Sequence, residues 1–264
     1  MKKTILARTL IGLAASLTVA GASAAEIWAL SAGGELAAID TDAKKVTGTW
    51  KVKGADTTLR GIDVRPANGQ LYAVGDNNMI YTIDPKTAQA TAGAKLSEAL
   101  PGKGWAIVSF NPVADRLRLM APDGTNFRVN VDSGEVVVDK KLSYAADGKY
   151  AGKTPKVVAG AYTNSYKGTK ETALYDIDAA TGRLFHQAPP NDGVLVDKAE
   201  IAKKVEHAAF DIWSDGKGGN TGFVLKDGVL HTLSLPDFKA TEVGKIEGLP
   251  AKVIDIAVPR NNAM

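Results

Sequence analysis

Between residues 26 and 259 the chain is written in short runs in which apolar and polar positions alternate, among them "EIWALS", "QLYAVG", "MIYTID", "RLRLMA", "NFRVNV", "ALYDID" and "TGFVLK". A period of two sends successive side chains to opposite faces of an extended segment, so each run reads as a half-buried β-strand. The runs are rich in β-branched and aromatic residues, and Asp, Asn, Gly or Pro interrupts them roughly every 8 to 12 residues, as expected of strands joined by tight turns. Helical periodicity is nearly absent after the N-terminal segment, which predicts an all-β fold.

The runs recur as a unit of roughly 44 to 50 residues that can be cut into four strands. The second unit gives "LRGIDV", "QLYAVG", "MIYTID" and "ATAGAKL"; the third, "WAIVSF", "RLRLMA", "NFRVNV" and "EVVVDKKL". The fourth gives "KVVAGAY", "ALYDID", "RLFHQ" and "GVLVDKAEI", and the fifth "HAAFDIW", "TGFVLK", "VLHTLSL" and "KATEVGKI". The first unit holds only "EIWALS", "ELAAID" and "VTGTWKV", and the strand it lacks is available as "KVIDIAVP" at 252–259. A repeat whose first copy is completed by the other end of the chain predicts a β-propeller of five four-stranded blades, because closing a ring removes exposed sheet edges. Four or six blades follow if the longer fourth unit is cut differently, and a β-sandwich is the alternative architecture. No linker or shift in composition divides residues 25–264, so they are expected to form one propeller domain.

Residues 1–24 read differently. Lys2, Lys3 and Arg8 precede the apolar run "TLIGLAASLTVAGA", which ends at the small-x-small triplet "ASA". That is the pattern of a secretory signal peptide cleaved near Ala24, and the run is short and Ala/Gly-rich for a membrane anchor. The expectation is a periplasmic or extracellular protein with no membrane span. The segment carries three of the 32 basic residues and none of the 29 acidic ones, so the remainder is formally neutral. Without a dense Lys/Arg stripe there is no electrostatic footprint for nucleic acid. The chain has no cysteine, which excludes disulfides, thiolate catalysis and Cys-based metal sites.

At "GIDVRPANGQLYAVG", "FNPVADRLRLMAPDGTNFRVNVDSGEV", "AYTNS", "ALYDID" and "PPNDG" the sequence resembles a family of exported bacterial proteins known only as domain of unknown function 4394. It departs from that family's usual residues at Thr125-Asn126 and at Ala188. The resemblance covers nearly all of the chain beyond the signal segment. It implies an exported, repetitive, propeller-like protein and brings no activity or catalytic residues.

Three acids lie inside apolar runs at matching places: Asp63 in "GIDV", Asp211 in "AFDIW" and Asp255 in "VIDIAV". In the four-strand cut each falls in the middle of an innermost strand, where blades three and four have Ser109 and Ala161. Side chains alternate, so the three carboxylates face away from their apolar neighbours and can converge near the channel. Two readings follow. Each Asp accepts hydrogen bonds from the backbone of the next blade, or the three hold a divalent ion, for which Ca2+ suits loosely arranged oxygen ligands.

A second constellation joins Arg116 and Arg118 on one strand to Asn126, Arg128 and Asn130 on the next, a basic and amide-rich patch suited to a carboxylate or phosphate if the register aligns them. The alternative is that the arginines pair with structural acids such as Asp115 or the inner-strand aspartates. Tyr162 and Asn164, in the polar insertion "YTNSYKGTKET", complete the candidate ligand-binding set, because functional loops sit on rigid scaffolds. "QAPPNDGVL" reads first as a stiff turn, and Trp28, Trp50, Trp105 and Trp213 read as inter-blade core.

Enzyme signatures fail on inspection. His186, His207 and His231 stand singly, there is no Gly-x-Ser-x-Gly elbow, and "GKYAGKT" has one residue too few between its glycines for a phosphate loop. The residues thus favour an exported binding or interaction propeller for a protein, glycan or small ligand. The alternatives are a lactonase-like, metal-assisted hydrolase with an ion held by Asp63, Asp211 and Asp255, and a structural envelope protein.

Overall fold

A computed structural model describes residues 26–203, 205–235 and 237–259. The segment read as a signal peptide lies outside them. The strands are β1 (Glu26–Ser31), β2 (Glu35–Asp40), β3 (Lys45–Lys51), β4 (Leu59–Val64), β5 (Leu71–Gly75), β6 (Met79–Asp84) and β7 (Gln89–Lys95). There follow β8 (Ile107–Asn111), β9 (Arg116–Met120), β10 (Asn126–Val129), β11 (Val136–Val138), β12 (Ser143–Tyr144), β13 (Val157–Tyr162) and β14 (Leu174–Asp178). The last are β15 (Arg183–Gln187), β16 (Val194–Glu200), β17 (Ala209–Ser214), β18 (Asn220–Lys226), β19 (Val229–Ser234), β20 (Ala240–Lys245) and β21 (Val253–Ala257).

Four consecutive strands make each of the sheets β4-β5-β6-β7, β8-β9-β10-β11, β13-β14-β15-β16 and β17-β18-β19-β20, and the remaining sheet is β21-β1-β2-β3. The fold is a five-blade β-propeller. Its ring closes as the repeat arithmetic requires: β21 lies antiparallel to β1, with Trp28 opposite Ala257 and Leu30 opposite Asp255. Asp40, Asp84, Asn111 and Asp178 end the strands and start the turns, each accepting a backbone N–H two or three residues on. These carboxylate and amide oxygens stand in for a turn's own backbone acceptor, so the acidic punctuation read from the sequence is the turn chemistry itself.

The core is divided among the five seams between blades. Leu36 and Leu59 belong to the seam of blades one and two, Val74 and Phe110 to the next, and Met120 and Phe185 to the third. Ala161 and Phe210 fill the fourth, and Ile27 and Phe223 the fifth, which closes the ring. A buried side chain of this size contributes about 1.5–3 kcal/mol, so each blade is stabilised by its neighbours more than by its own small sheet. Among the described residues no helix is long and apolar enough to cross a membrane.

Two expectations need correction. The strand expected over "EVVVDKKL" stops at Val138, because Asp139 turns back onto Arg118 and Arg128. The chain then crosses to the next blade, where β12 pairs parallel with β16 as a fifth strand. The tryptophans are not uniformly core either. Trp28 is buried, but Trp50 is exposed and rests on it at 6.4 Å between ring centroids, and Trp105 and Trp213 are half-buried.

Candidate functional site

The three inner-strand aspartates are bonded across the seams. Asp255 accepts the Ile62 N–H at 2.8 Å and its own neighbour Ile256 at 2.9 Å, joining blade one to blade two. Asp63 accepts Phe110 N–H at 2.7 Å and Val64 N–H at 2.6 Å, joining blade two to blade three. Asp211 accepts Val258 N–H and Ile212 N–H, both at 2.7 Å, joining blade five back to blade one. Ser109 serves the seam of blades three and four by accepting the Tyr162 N–H at 3.3 Å. Gly61 permits one of these approaches: a Cβ there would lie 2.7 Å from the Ala106 carbonyl and 2.8 Å from Asp255 Oδ2.

Burial pushes the Asp255 carboxyl well above the usual carboxylate range, and its charged neighbours Asp63 and Asp211 add to the rise. Backbone donors from Ile62 and Ile256 oppose it. Every one of the three carboxylates thus has both oxygens on backbone N–H groups. Among the described residues no group of three or more His, Cys, Asp or Glu is arranged to hold a metal ion.

The arginine patch forms where the register puts it. Arg118 stands opposite Arg128 across β9 and β10, on the face that packs against blade four. Arg118 is buried, and its guanidinium donates to Asp139 Oδ2 at 2.7 Å, Asn126 Oδ1 at 2.8 Å, Asn191 Oδ1 at 2.9 Å and the Tyr162 hydroxyl at 3.2 Å. Arg128 forks onto the same Asp139 at 2.7 and 2.9 Å, a bond that raises its own pKa. The "PPNDG" turn seals this cluster, because the Pro190 carbonyl accepts from Asn126 at 3.0 Å and from Gln187 at 2.6 Å.

Of the six residues expected to bind a ligand, Arg118, Asn126, Arg128 and Tyr162 come together as this inter-blade network. Arg116 is exposed at the strand end, where it donates to the Asp115 carbonyl at 3.0 Å. Asn164 lies at the seam of blades four and five, where its backbone N–H donates to Asn220 Oδ1 at 2.7 Å and its Oδ1 accepts from Asn220 Nδ2 at 2.9 Å. Asp115, the acid expected beside the patch, pairs instead with Arg65, whose fork also takes Asp132.

One carboxyl in the same seam stands apart. Asp176 is fully buried, neither oxygen has a hydrogen-bond partner, and the nearby Gln187 Oε1 is also without one. A Cβ at Gly160 would lie 2.3 Å from Asp176 Oδ1, so the opposing strand leaves just enough room for the carboxyl. Burial raises its pKa far above the ordinary range, against the attraction of Arg118 and with added repulsion from Asp178.

The open cavity lies elsewhere, at the end of the channel where the inner strands begin. Thr58, Trp105, Lys156, His207 and Ile254 come from five different blades and surround a depression of about 460 Å³. Each sits at or just before the start of an inner strand, so one end of the ring gathers residues about fifty positions apart in sequence. Trp105 tilts against His207 at 5.5 Å between ring centroids. His207 Nε2 donates to the Ile254 carbonyl at 3.1 Å, and burial lowers its pKa. Its ring is therefore neutral near pH 7 and fixed in orientation.

The loop before Trp105 is pinned by buried Arg60, which donates to the carbonyls of Leu100, Pro101 and Gly104 at 3.0–3.3 Å and pairs with Asp76 at 3.4 Å. Burial lowers the Arg60 pKa more than Asp76 restores it, though a guanidinium remains charged. On the far side, the Lys156 N–H donates to Asp178 at 2.6 Å, and the Lys252 carbonyl accepts from Ala32 at 2.9 Å. Sequence reasoning missed this site. Trp105 was expected as core, His207 as an isolated histidine, and neither lysine has a motif around it.

Residues 35–257 match the family described as Domain of unknown function (DUF4394). No curated protein matches the chain. A solved protein of unknown function from Bacteroides thetaiotaomicron VPI-5482 is similar in fold, with a TM-score of 0.55, 15% identity, and coverage of 90% of this chain and 68% of its own. A second, also of unknown function and from Bacteroides caccae, aligns at TM-score 0.45 and 13% identity over 83% of this chain and 72% of its own.

Proposed function

We propose, for a chain that belongs to the family Domain of unknown function (DUF4394), the role of an exported binding module that takes a small ligand at the mouth of its channel. The observation that carries this reading is the depression of about 460 Å³ lined by Trp105 and His207 among others, a size that suits a small molecule. Support comes also from where the other polar groups are spent. The inner aspartates and Arg118 are engaged in holding blades together, whereas the mouth residues hold their backbone in place and leave side chains facing the cavity. Export rests on the N-terminal pattern of Lys2, Lys3, Arg8 and "ASA". The hydrolase reading would require Asp63, Asp211 and Asp255 to give up backbone donors in exchange for an ion.

A thermal-shift screen of the chain from residue 25, beside Trp105→Ala, tests the proposal. A ligand at a hundred times its Kd adds about 2.7 kcal/mol of stability, roughly 5–10 °C for a domain of this size. The expected result is a set of small molecules that raise the midpoint of the native chain and not of the variant. Equal shifts in both would place binding elsewhere and refute the site.

A further inference from the structure

The depression at the channel mouth does not end there. A second hollow of about 300 Å³ runs out between blades five and one, and it shares His207, Lys252 and Val253 with the first. Leu225, Leu249, Pro250 and Val253 give it an apolar stretch, with Asp227 and Lys252 also in the lining. The site is therefore elongated, with an aromatic floor at its centre and an aliphatic arm.

Of the charged residues that line it, two are basic and two acidic, and they differ in their pairing. Lys156 and Lys252 are exposed at the rim and, among the described residues, neither belongs to an ion pair. Glu206 is engaged with another group, and Asp227, at the end of the arm, pairs with Lys226 at 2.7 Å. Neutral His207 contributes no charge. Two ammonium groups outside any described ion pair thus share the hollow with a half-buried indole, and the attraction they offer is to an anion.

Of the hydrogen-bonding side chains in the central hollow, Lys156, Glu206 and Lys252 are charged and His207 is already committed to the Ile254 carbonyl, which leaves few neutral partners. A saccharide presents many hydroxyls, each of which needs a partner when it leaves water. Here Thr58 is the main neutral hydroxyl in the central hollow, so a sugar would be poorly matched. An apolar body loses nothing by entering. We infer that the site takes an elongated amphiphilic organic anion: a carboxylate head between Lys156 and Lys252, and an aromatic or aliphatic body lying from Trp105 along the arm toward Leu249. This deepens the binding reading above and rests on it.

Calorimetric titration of the chain from residue 25 with four probes tests the inference: 4-biphenylcarboxylate, the neutral 4-biphenylcarboxamide, 4-biphenylmethylammonium and glucuronate. The carboxylate is expected to bind best, with the amide about tenfold weaker, since two exposed ion pairs are worth about that ratio. Glucuronate and the ammonium should show no saturable binding. In Lys156→Ala/Lys252→Ala, whose exposed side chains leave the thermal midpoint unchanged, the carboxylate should fall to the amide's affinity. In Trp105→Ala both should weaken. Equal affinity for carboxylate and amide in the native chain would overturn the anion inference and leave the cavity as a binding site. Glucuronate binding more tightly than the biphenyl acid would overturn the amphiphile. Binding of none of the four would overturn the inference, while hits from other chemical classes in the thermal-shift screen would keep the site itself alive.

Discussion

Replacing Asp255 by alanine separates the seam role of the inner carboxylates from a ligand role. The side chain accepts the N–H groups of Ile62 and Ile256, both buried, and alanine supplies neither with an acceptor. An orphaned buried donor costs about 1–3 kcal/mol, so two cost about 2–6 kcal/mol. The loss is partly offset, because the same carboxyl is disfavoured by burial and by repulsion from Asp63 and Asp211. Truncation relieves both. The net expectation is therefore at the low end, about 2–3 kcal/mol, which lowers the thermal midpoint by roughly 4–12 °C in a domain of this size. Asp255→Asn keeps one acceptor oxygen and loses the repulsion, so it should fall less than half as far. Urea denaturation followed by circular dichroism reads both. A Asp255→Ala chain within about 0.5 kcal/mol of the native one would refute the seam role. Metal analysis of the native and variant chains completes the test, since an equimolar ion present only in the native chain would make the three carboxylates its ligands.

Three further outcomes follow from the same geometry. Arg118→Ala leaves Asp139 on Arg128 alone and takes the donor from buried Asn126 Oδ1 and the Tyr162 hydroxyl, so it should cost about 2–4 kcal/mol by chemical denaturation; a loss under about 1 kcal/mol would mean that the network is not structural. Asp176 has a folded-state pKa raised well above its unfolded value, so the folded chain holds a proton the unfolded chain has released. Its contribution is complete below the unfolded pKa and is lost as pH rises through the folded value. Asp176→Asn carries no such proton, and in urea midpoints measured from pH 4.5 to 8 its advantage over the native chain should widen with pH; parallel profiles would refute this. Removal of residues 253–264 takes away β21 and opens the ring, and near-ultraviolet circular dichroism should show no cooperative melt; a native-like melt would sever closure from stability.

The ring was legible because a repeat one strand short at "EIWALS" and one strand over at "KVIDIAVP" has few ways to be satisfied. The matching positions of Asp63, Asp211 and Asp255 were legible for the same reason. Their partners were not. Which N–H each carboxylate meets depends on how far one inner strand is staggered against the next: Asp255 reaches Ile62, one residue before Asp63, whereas Asp63 reaches Phe110, one after Ser109. Spacing within a strand carries no record of that stagger. Arg118 and Arg128 were seen as a patch through two-residue alternation, but the acid that holds them, Asp139, lay in a stretch read as continuous strand. Arg65, two residues after Asp63, gave the plainest overlooked signal of a seam, since a guanidinium directly after a buried strand needs acids such as Asp115 and Asp132. The mouth was hidden for another reason. Thr58, Trp105, Lys156, His207 and Lys252 recur at roughly fifty-residue intervals but share no residue type, so the interval shows only once each is counted backward from the start of its inner strand.

The placement of these groups separates the inter-blade bonds from the open cavity along the channel. The inter-blade bonds to Phe110, Tyr162 and Val258 lie toward the far ends of the inner strands, as do the Arg65 fork and the pairing of Asn164 with Asn220. Blade four has Ala161 where other blades have a carboxylate or hydroxyl, so its inner strand has no side-chain acceptor there. The Asn164–Asn220 pair at the far end, with the Ser165 N–H on Ser214 Oγ at 2.9 Å, supplies the polar link that this seam lacks further in. At the mouth the polar side chains instead fix loops from behind, as Arg60 does for the approach to Trp105. Substitutions of Trp105, Lys156 or Lys252 therefore alter what the cavity presents without removing any bond that crosses a seam. A propeller built this way can vary the residues around its cavity at one end while the other keeps the ring shut.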